Sequence, residues 1–275
     1  MNESTLTIWQ ITVLAVLLAS GQALAADGFE LAQANGCFVC HQATTQRVGP
    51  SFSDIEKKYA GKKKDAVAQL AATIVKGTAP DGMGWQAEKK AMLPHMPANV
   101  TVTPENGLIL AQWVLNEAGK ATDKTKFVTD RITVTGMVKA PLEFTLNDLQ
   151  KLPVLQVKMI PHGGSRPDGK PPVPVIVKGV LLRDILEKVE LQTSSPYDVK
   201  KSAILVTASD GYRIIFSWPE IFHSPIGEGA ILYFEKDGKP LADDEGRIAL
   251  GSLRDNGNYR YAKWVKTIEV RTIAD

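Results

Sequence analysis

Cysteine is nearly absent from this chain: Cys37 and Cys40 are the only two in 275 residues. No second Cys pair exists to complete a zinc site that these thiols would begin, so the sequence argues against a structural zinc site. An excess of either charge is also lacking. Lys and Arg together number 32 and Asp and Glu 30, for a net charge of +2. This balance gives no indication of a nucleic-acid or membrane-surface partner.

Long apolar runs are missing as well. The run at 11–19 is too short for a comfortable transmembrane helix, and Ala23-Leu24-Ala25 follows it as a small-residue cleavage signal. We therefore expect residues 1–25 to be a signal peptide that is cleaved after Ala25. Residues 1–10 contain Glu3 and no Lys or Arg, where a basic start is expected. The alternative is that this segment is retained as a membrane anchor.

The two cysteines stand in one hexapeptide, Gly36-Cys37-Phe38-Val39-Cys40-His41. A Cys-x-x-Cys pair followed at once by His is the attachment site of a c-type haem. Thiols three residues apart lie on one helical face, where both can bond the haem vinyl groups, and the following His can ligate the iron. The alternative is a dithiol redox pair. Such pairs belong beside a strand–helix unit, whereas this pair has a helical, Ala-rich context.

The length suggests two domains, and helical patterns fill the first, 26–120. Helices are predicted at 28–36, 54–59 and 65–76. A last helix is predicted from Pro104 to Gly119, with Thr103 as its N-cap and Pro104 at its first position. Between them, 78–103 has no regular period, and a loop this long in a small domain is usually functional. This loop contains the candidate sixth ligands of the iron, Met83, Met92 and Met96.

Residues 27–119 resemble a short class I monohaem bacterial cytochrome c. Four features carry the resemblance: the haem motif, Val48-Gly49-Pro50, the stretch 94–99 (Pro-His-Met-Pro-Ala-Asn) and the terminal helix with Trp113-Val114-Leu115. The resemblance implies an all-α fold with Met96 as distal ligand. It also implies that the Pro50 carbonyl accepts a hydrogen bond from His41.

The same resemblance implies two further roles near the haem. Asn99 would touch the Met96 sulfur, and Trp85 would bond a haem propionate, although the insertion between Gly77 and Met96 is longer than the family has. For the distal ligand, Met92 and Met83 remain alternatives. His95 is another alternative, and it would give a bis-His iron of lower potential.

After a polar linker at 121–126, the pattern changes to strands mixed with short helices over 127–275, which predicts an α+β domain with a mixed sheet. Strands are expected at 131–136, 142–146, 154–160, 203–208, 212–216, 230–234 and 264–270, with helical turns at 147–152 and an amphipathic helix at 180–189.

Most of 130–272 resembles the molybdopterin domain of the sulfite oxidase family. The matching segments are 134–138 and 146–149, then 178–186, 208–212, 238–241 and 263–265, in this order along the chain. That family binds molybdenum through a cysteine in the loop after the strand at 154–160. Here the loop, 161–167, contains no Cys. We therefore expect that the second domain is unlikely to hold molybdopterin as a cofactor.

Other residues could give the second domain a ligand site. His162 with Arg166, Arg183 or Arg254 could bind an anion, and His162 with His223 could form half of a metal site. The alternative is that the Gly- and Pro-rich segments make surface turns with solvated histidines.

Together these observations predict a periplasmic electron-transfer protein of a Gram-negative bacterium. It would carry one covalent haem c ligated by His41 and Met96, pass electrons to a redox partner protein, and use the second domain for docking or positioning. The alternatives are a haem-linked oxidoreductase of the sulfite oxidase type that oxidises a small anion, and a sensor whose second domain captures a metal or anion.

Overall fold

The chain forms two compact units, divided between Asp123 and Lys124. A computed structural model describes residues 28–60, 65–78, 95–120, 124–160, 173–195, 197–256 and 260–273. The predicted signal peptide at 1–25 and the first half of the predicted linker, 121–123, lie outside these residues, whereas 124–126 belong to a short 3-10 helix, Lys124–Phe127. Among the described helices, none is both long enough and apolar enough to cross a bilayer.

The first unit is helical. Its described helices are α1 (28–34), α2 (Cys37–Cys40), α3 (Phe52–Tyr59), α4 (Ala66–Lys76) and α5 (Pro104–Asn116). Side-chain caps explain two of the starts: the Ser51 hydroxyl accepts from the Asp54 N–H at the start of α3, and Thr103 does the same for α5.

Two predicted helix boundaries, the start of α3 and the end of α5, are wrong by two or three residues. Helix α3 begins at Phe52, two residues before the predicted start, because buried Ser51 supplies the cap. Helix α5 ends at Asn116 and not at Gly119, because the N–H groups of Glu117 and Ala118 both turn back to the Trp113 carbonyl.

Helices α4 and α5 pack closely at one point. A Cβ added to Gly107 of α5 would lie 3.0 Å from the Val75 side chain and 3.4 Å from the Ala71 carbonyl oxygen. Leu70, Ala71 and Ile74 of α4 are buried, as the predicted apolar face requires. Helix α4 ends at Gly77, whose φ of 76° turns the chain away.

The second unit is built from two sheets. The strands are β1 (Arg131–Gly136), β2 (Leu142–Thr145), β3 (Val154–Met159), β4 (Val175–Leu181), β5 (Ser202–Ala208), β6 (Arg213–Ser217), β7 (Ala230–Lys236), β8 (Lys239–Pro240), β9 (Ala249–Ser252), β10 (Tyr261–Ala262) and β11 (Val265–Thr272). One sheet has the order β2-β1-β11-β5-β6, and the other has β10-β9-β7-β4-β3 with β8 beside β7.

The first of these sheets is mixed. Strands β1 and β11 run parallel, with Thr133 opposite Thr267, while the other described neighbours in both sheets are antiparallel. Short helices connect the strands: α6 (Leu146–Leu149), α7 (Leu182–Leu186) and α8 (Trp218–His223). The predicted fold class, a helical domain followed by an α+β domain with a mixed sheet, is therefore confirmed.

The main core of the second unit draws on both sheets. Ile132 and Ile268 from the first sheet and Val180 and Leu232 from the second belong to one buried cluster. Since side chains alternate along a strand, Ile231 and Tyr233 of β7 point to the other face, where they form a smaller cluster. The central strand β7 is thus covered on both faces.

The helix predicted at 180–189 is wrong over part of its length. Val180 and Leu181 end strand β4, and α7 occupies only Leu182–Leu186. The i, i+3, i+4 spacing of leucines suggested one helix, but β4 lies between β3 and β7 and is buried on both faces at its end. A strand that is buried on both faces has apolar residues at successive positions. Where such a strand runs directly into a helix, its last apolar residues extend the apolar spacing of the helix.

The glycine that ends β1 yields a test of this packing. Gly136 has φ of 89°, and an added Cβ would lie 2.1 Å from the Val270 carbonyl oxygen of β11. We expect Gly136→Ala to lower the unfolding free energy by about 3 kcal/mol, from backbone strain and a clash that must shift the strand. Gly238→Ala is the control, since its φ is 76° but nothing lies within 4 Å; strain alone costs about 1 kcal/mol. Urea unfolding followed by tryptophan fluorescence measures both, and equal losses would contradict the expectation.

Candidate haem site

The haem motif forms its own short helix. Gly36 adopts a left-handed conformation, with φ of 67°, and separates α1 from α2. Cys37 and Cys40, at the two ends of α2, are half-buried free thiols. His41 follows in an extended conformation, and its N–H still bonds the Cys37 carbonyl at 3.0 Å. The motif therefore offers two thiols and an adjoining imidazole within one helical turn.

The His41 ring is oriented by a backbone carbonyl. Its Nδ1 lies 2.7 Å from the Pro50 carbonyl oxygen. A carbonyl can only accept, so Nδ1 donates the proton and the Nε2 lone pair remains for a metal. Burial lowers the pKa of His41, which favours the neutral ring that metal ligation requires. The tautomer, and the preference of the buried ring for its neutral form, are both what an iron ligand requires.

Close packing restricts the same ring on two sides. The Phe52 ring stacks on it, with centroids 5.4 Å apart and planes inclined by 25°. A Cβ added to Gly49 would lie 2.5 Å from the His41 Cε1, so only glycine fits there. The Gly49 N–H also bonds the Cys40 carbonyl at 2.8 Å. The loop after the motif is thereby folded back against it.

An aromatic cluster lies beside the motif. Phe38 lies between the two cysteines in the sequence and is buried. Its ring centroid is 5.2 Å from that of Phe29, 5.9 Å from that of Phe52 and 5.9 Å from that of Trp113. Phe52 and Trp113 are themselves 5.3 Å apart. These tilted and edge-on contacts connect α1, α2, α3 and α5 around the motif and exclude water from its inner side.

The thiols do not resemble a dithiol redox pair. Burial raises the pKa of Cys37 to about 11 and also raises the pKa of Cys40, with Arg47 opposing the second shift. Redox-active Cys-x-x-Cys pairs have lowered pKa values, because the thiolate is the reactive form. The electrostatic environment therefore argues against the dithiol alternative.

On the candidate distal side, Met96 is half-buried and His95 is exposed. The Met96 N–H donates to the Thr78 hydroxyl at 2.8 Å, and the Met96 carbonyl accepts from the Thr78 N–H at 2.9 Å. Met83, Met92 and Trp85 lie outside the described residues, so their predicted roles stay predictions.

Asn99 is held in a small polar network. Its amide donates to the Asn35 carbonyl at 3.4 Å, and its side-chain oxygen accepts from the Thr101 hydroxyl at 2.8 Å. The Thr101 hydroxyl also lies 2.8 Å from the Asn35 side-chain oxygen. These bonds connect the segment after Met96 to the turn before Cys37. The predicted contact between Asn99 and the Met96 sulfur stays a prediction.

The structure describes Arg183, His223 and Arg254 among the candidate ligand residues of the second unit. Arg183 lies 3.6 Å from Asp184, and Arg254 lies 3.7 Å from Glu228, so each guanidinium has a neighbouring carboxylate. His223 ends α8. His162 and Arg166 lie outside the described residues. Within the part of the chain that the structure describes, no three His, Cys, Asp or Glu side chains form a metal-binding group.

Two protein families match this chain. The cytochrome c family model matches residues 25–116, and the model described as the oxidoreductase molybdopterin binding domain matches residues 119–274. The second description gives no support to the expectation that molybdopterin is unlikely, since binding of that cofactor defines the family.

Relatives match the first unit. Cytochrome c-552 of Hydrogenobacter thermophilus is 42% identical over 88 residues, which are 32% of this chain and 78% of that protein. Cytochrome c-552 of Nitrosomonas europaea is 40% identical over 110 residues, which are 40% of this chain and 95% of that protein.

Two solved structures are also similar. The crystal structure of wild-type Nitrosomonas europaea cytochrome c552 is 37% identical, covers 31% of this chain and 93% of its own, and has a TM-score of 0.25. The sulfane dehydrogenase SoxCD of Paracoccus pantotrophus is 18% identical, covers 56% of this chain and 40% of its own, and has a TM-score of 0.42.

The glycine beside the His41 ring provides a test of this geometry. We expect Gly49→Ala to push the ring away from the Pro50 carbonyl and to lower the unfolding free energy of the first unit by about 2 kcal/mol, since overpacking costs about 1–3 kcal/mol. Val48→Ala is the control, because Val48 adjoins Gly49 and is 46% exposed. Denaturant unfolding of the haem-loaded protein, followed at the haem absorbance, compares them. Equal stability of the two variants would refute the steric role of Gly49.

Proposed function

Because the chain belongs to the cytochrome c family over residues 25–116 and to the oxidoreductase molybdopterin binding domain family over residues 119–274, we propose that it is an electron-transfer protein with one covalently bound haem c. The first unit carries the haem, and the second unit docks a redox partner or positions the haem. The bond between His41 Nδ1 and the Pro50 carbonyl is the observation that supports this most directly.

The residues of the motif fit haem c by their chemistry. Cys37 and Cys40 would form thioether bonds to the porphyrin, and His41 would ligate the iron through Nε2. When bound, haem c supplies an iron that takes up and releases one electron. Pro50 holds the ring orientation, and such a hydrogen bond to a ligating His also raises its basicity. The aromatic cluster shields the inner side of the motif from water.

The distal side completes the proposal. Met96 would be the sixth ligand, with Asn99 beside its sulfur and Trp85 at a haem propionate. His/Met ligation raises the reduction potential relative to bis-His ligation. A relatively positive potential suits a carrier that accepts electrons from one protein and passes them to another. We place this carrier in the periplasm, as the signal-peptide pattern at 1–25 predicts.

A second candidate function is that of a haem-linked oxidoreductase, favoured by the family match over residues 119–274. The second unit would oxidise a small anion and pass electrons to the haem. The chain has no cysteine after Cys40, so it does not fit molybdenum ligation through a protein thiolate.

Metal content separates the two candidates. We expect the full chain, expressed with its signal in a host that matures haem c, to contain one iron per chain and no molybdenum. The host must also synthesise molybdopterin, and a coexpressed molybdopterin enzyme serves as control for its supply. Equimolar molybdenum, measured by elemental analysis, would establish the oxidoreductase candidate and overturn the electron-carrier proposal for the second unit.

Met96→Ala tests the distal ligand. Methionine-ligated ferric haem has a far-red charge-transfer band, which we expect in the wild type and expect to disappear in this variant, because alanine has no sulfur donor. His95→Ala is the control, since His95 is adjacent and exposed, and it should keep the band. A band that persists in Met96→Ala would assign the ligand elsewhere, with Met92 and Met83 the next candidates.

A further inference from the structure

The backbone of Met96 is held by a single residue of another element. Thr78 accepts from the Met96 N–H through its hydroxyl at 2.8 Å and donates its own N–H to the Met96 carbonyl at 2.9 Å. Both hydrogen-bonding groups of the Met96 backbone are therefore taken by one residue, 18 positions earlier in the chain. Since Pro97 has no N–H, it cannot add a backbone donor to hold the segment.

The end of helix α4 is shaped to receive this segment. Gly77 approaches it so closely that an added Cβ would lie 2.6 Å from the Met96 carbonyl oxygen and 2.7 Å from the Ala98 nitrogen. The Asn99 N–H also bonds the Val75 carbonyl at 3.2 Å. The segment 96–99 is thus contacted at successive points by Val75, Gly77 and Thr78.

This arrangement determines which element positions Met96. Helix α4 packs on α5, as the close approach of Gly107 to Val75 shows, and α5 carries Trp113 of the aromatic cluster beside the haem motif. The chain of contacts therefore runs from Met96 through Thr78 and α4 to the residues around Cys37 and Cys40. Of the two hydrogen bonds between Met96 and Thr78, one joins the two backbones and the other is made by the Thr78 hydroxyl.

We propose that Thr78 is a positioning residue for the distal haem ligand: its hydroxyl fixes the Met96 backbone so that the sulfur is held in reach of the iron. The inference rests on the proposed role of Met96 as the sixth ligand. Removal of the hydroxyl leaves the Met96 N–H without its partner, and an unpaired N–H costs free energy comparable to a lost hydrogen bond.

Thr78→Val tests this role, because valine keeps the branched shape and the backbone N–H and loses only the hydroxyl. Imidazole added to the ferric protein competes with Met96 for the iron, so its apparent affinity reports how firmly Met96 is held. We expect imidazole to bind about tenfold more tightly to Thr78→Val than to the wild type, as the loss of about 1.4 kcal/mol predicts.

Two variants serve as controls. Thr78→Ser retains a hydroxyl and should restore the wild-type imidazole affinity to within about twofold. Thr73→Val removes a hydroxyl from helix α4, which precedes Thr78. This hydroxyl donates to the Gln69 carbonyl at 2.9 Å, so its loss should also leave the affinity unchanged. If Thr78→Val behaves like Thr73→Val, the positioning role is refuted.

A measurement on the wild type keeps the inference testable if Thr78→Val does not fold. The Met96 amide should exchange its hydrogen slowly in the holoprotein, because it is bonded to Thr78, whereas the exposed His95 amide should exchange fast. Fast exchange at Met96 would overturn the role of Thr78. Absence of the far-red band from the wild type would instead refute the ligation by Met96 itself, and the two failures are thereby distinguished.

Discussion

The hydrogen bond between the His41 ring and the Pro50 carbonyl is the contact on which the candidate haem site depends. It fixes the tautomer, and with it which nitrogen can face a metal. The loop that brings Pro50 into place is closed by the bond from Gly49 to Cys40, and Phe52 covers the ring from the start of α3. Motif, loop and helix are therefore one structural unit, and none of the three can shift without reorienting the ring.

The sequence located the proximal side of the candidate site because the signal there is local. Cys37 and His41 are four residues apart, and their chemistry follows from that spacing. The distal side has no such signal. Thr78 meets Met96 across 18 positions, and nothing in a threonine after a helix-ending glycine predicts that partner. The resemblance to cytochromes c supplied Met96 and Pro50 as candidates, but it did not supply the residue that holds the Met96 backbone.

The fold class could be predicted from periodicity, and one error lies where two periods overlap. Strand β4 and helix α7 join at Leu181 and Leu182 without a polar residue between them, so apolar spacing merged them into one helix. Helix α8 was missed although its signal was present. Ser217 and Glu220 form a capping box, with the Ser217 hydroxyl accepting from the Glu220 N–H and the Glu220 carboxylate accepting in return. The short strand β9 offered too few residues for a pattern.

The parallel pairing of β1 with β11 has a consequence for how the chain is made. Strand β11 lies inside its sheet, between β1 and β5, so that sheet remains in two pieces until residues 265–272 have been synthesised. The helices of the first unit end at Asn116, well before this strand, so they can assemble earlier. The first unit, with its Cys37–Cys40 helix, can therefore fold on a nascent chain whose second unit is still unfolded.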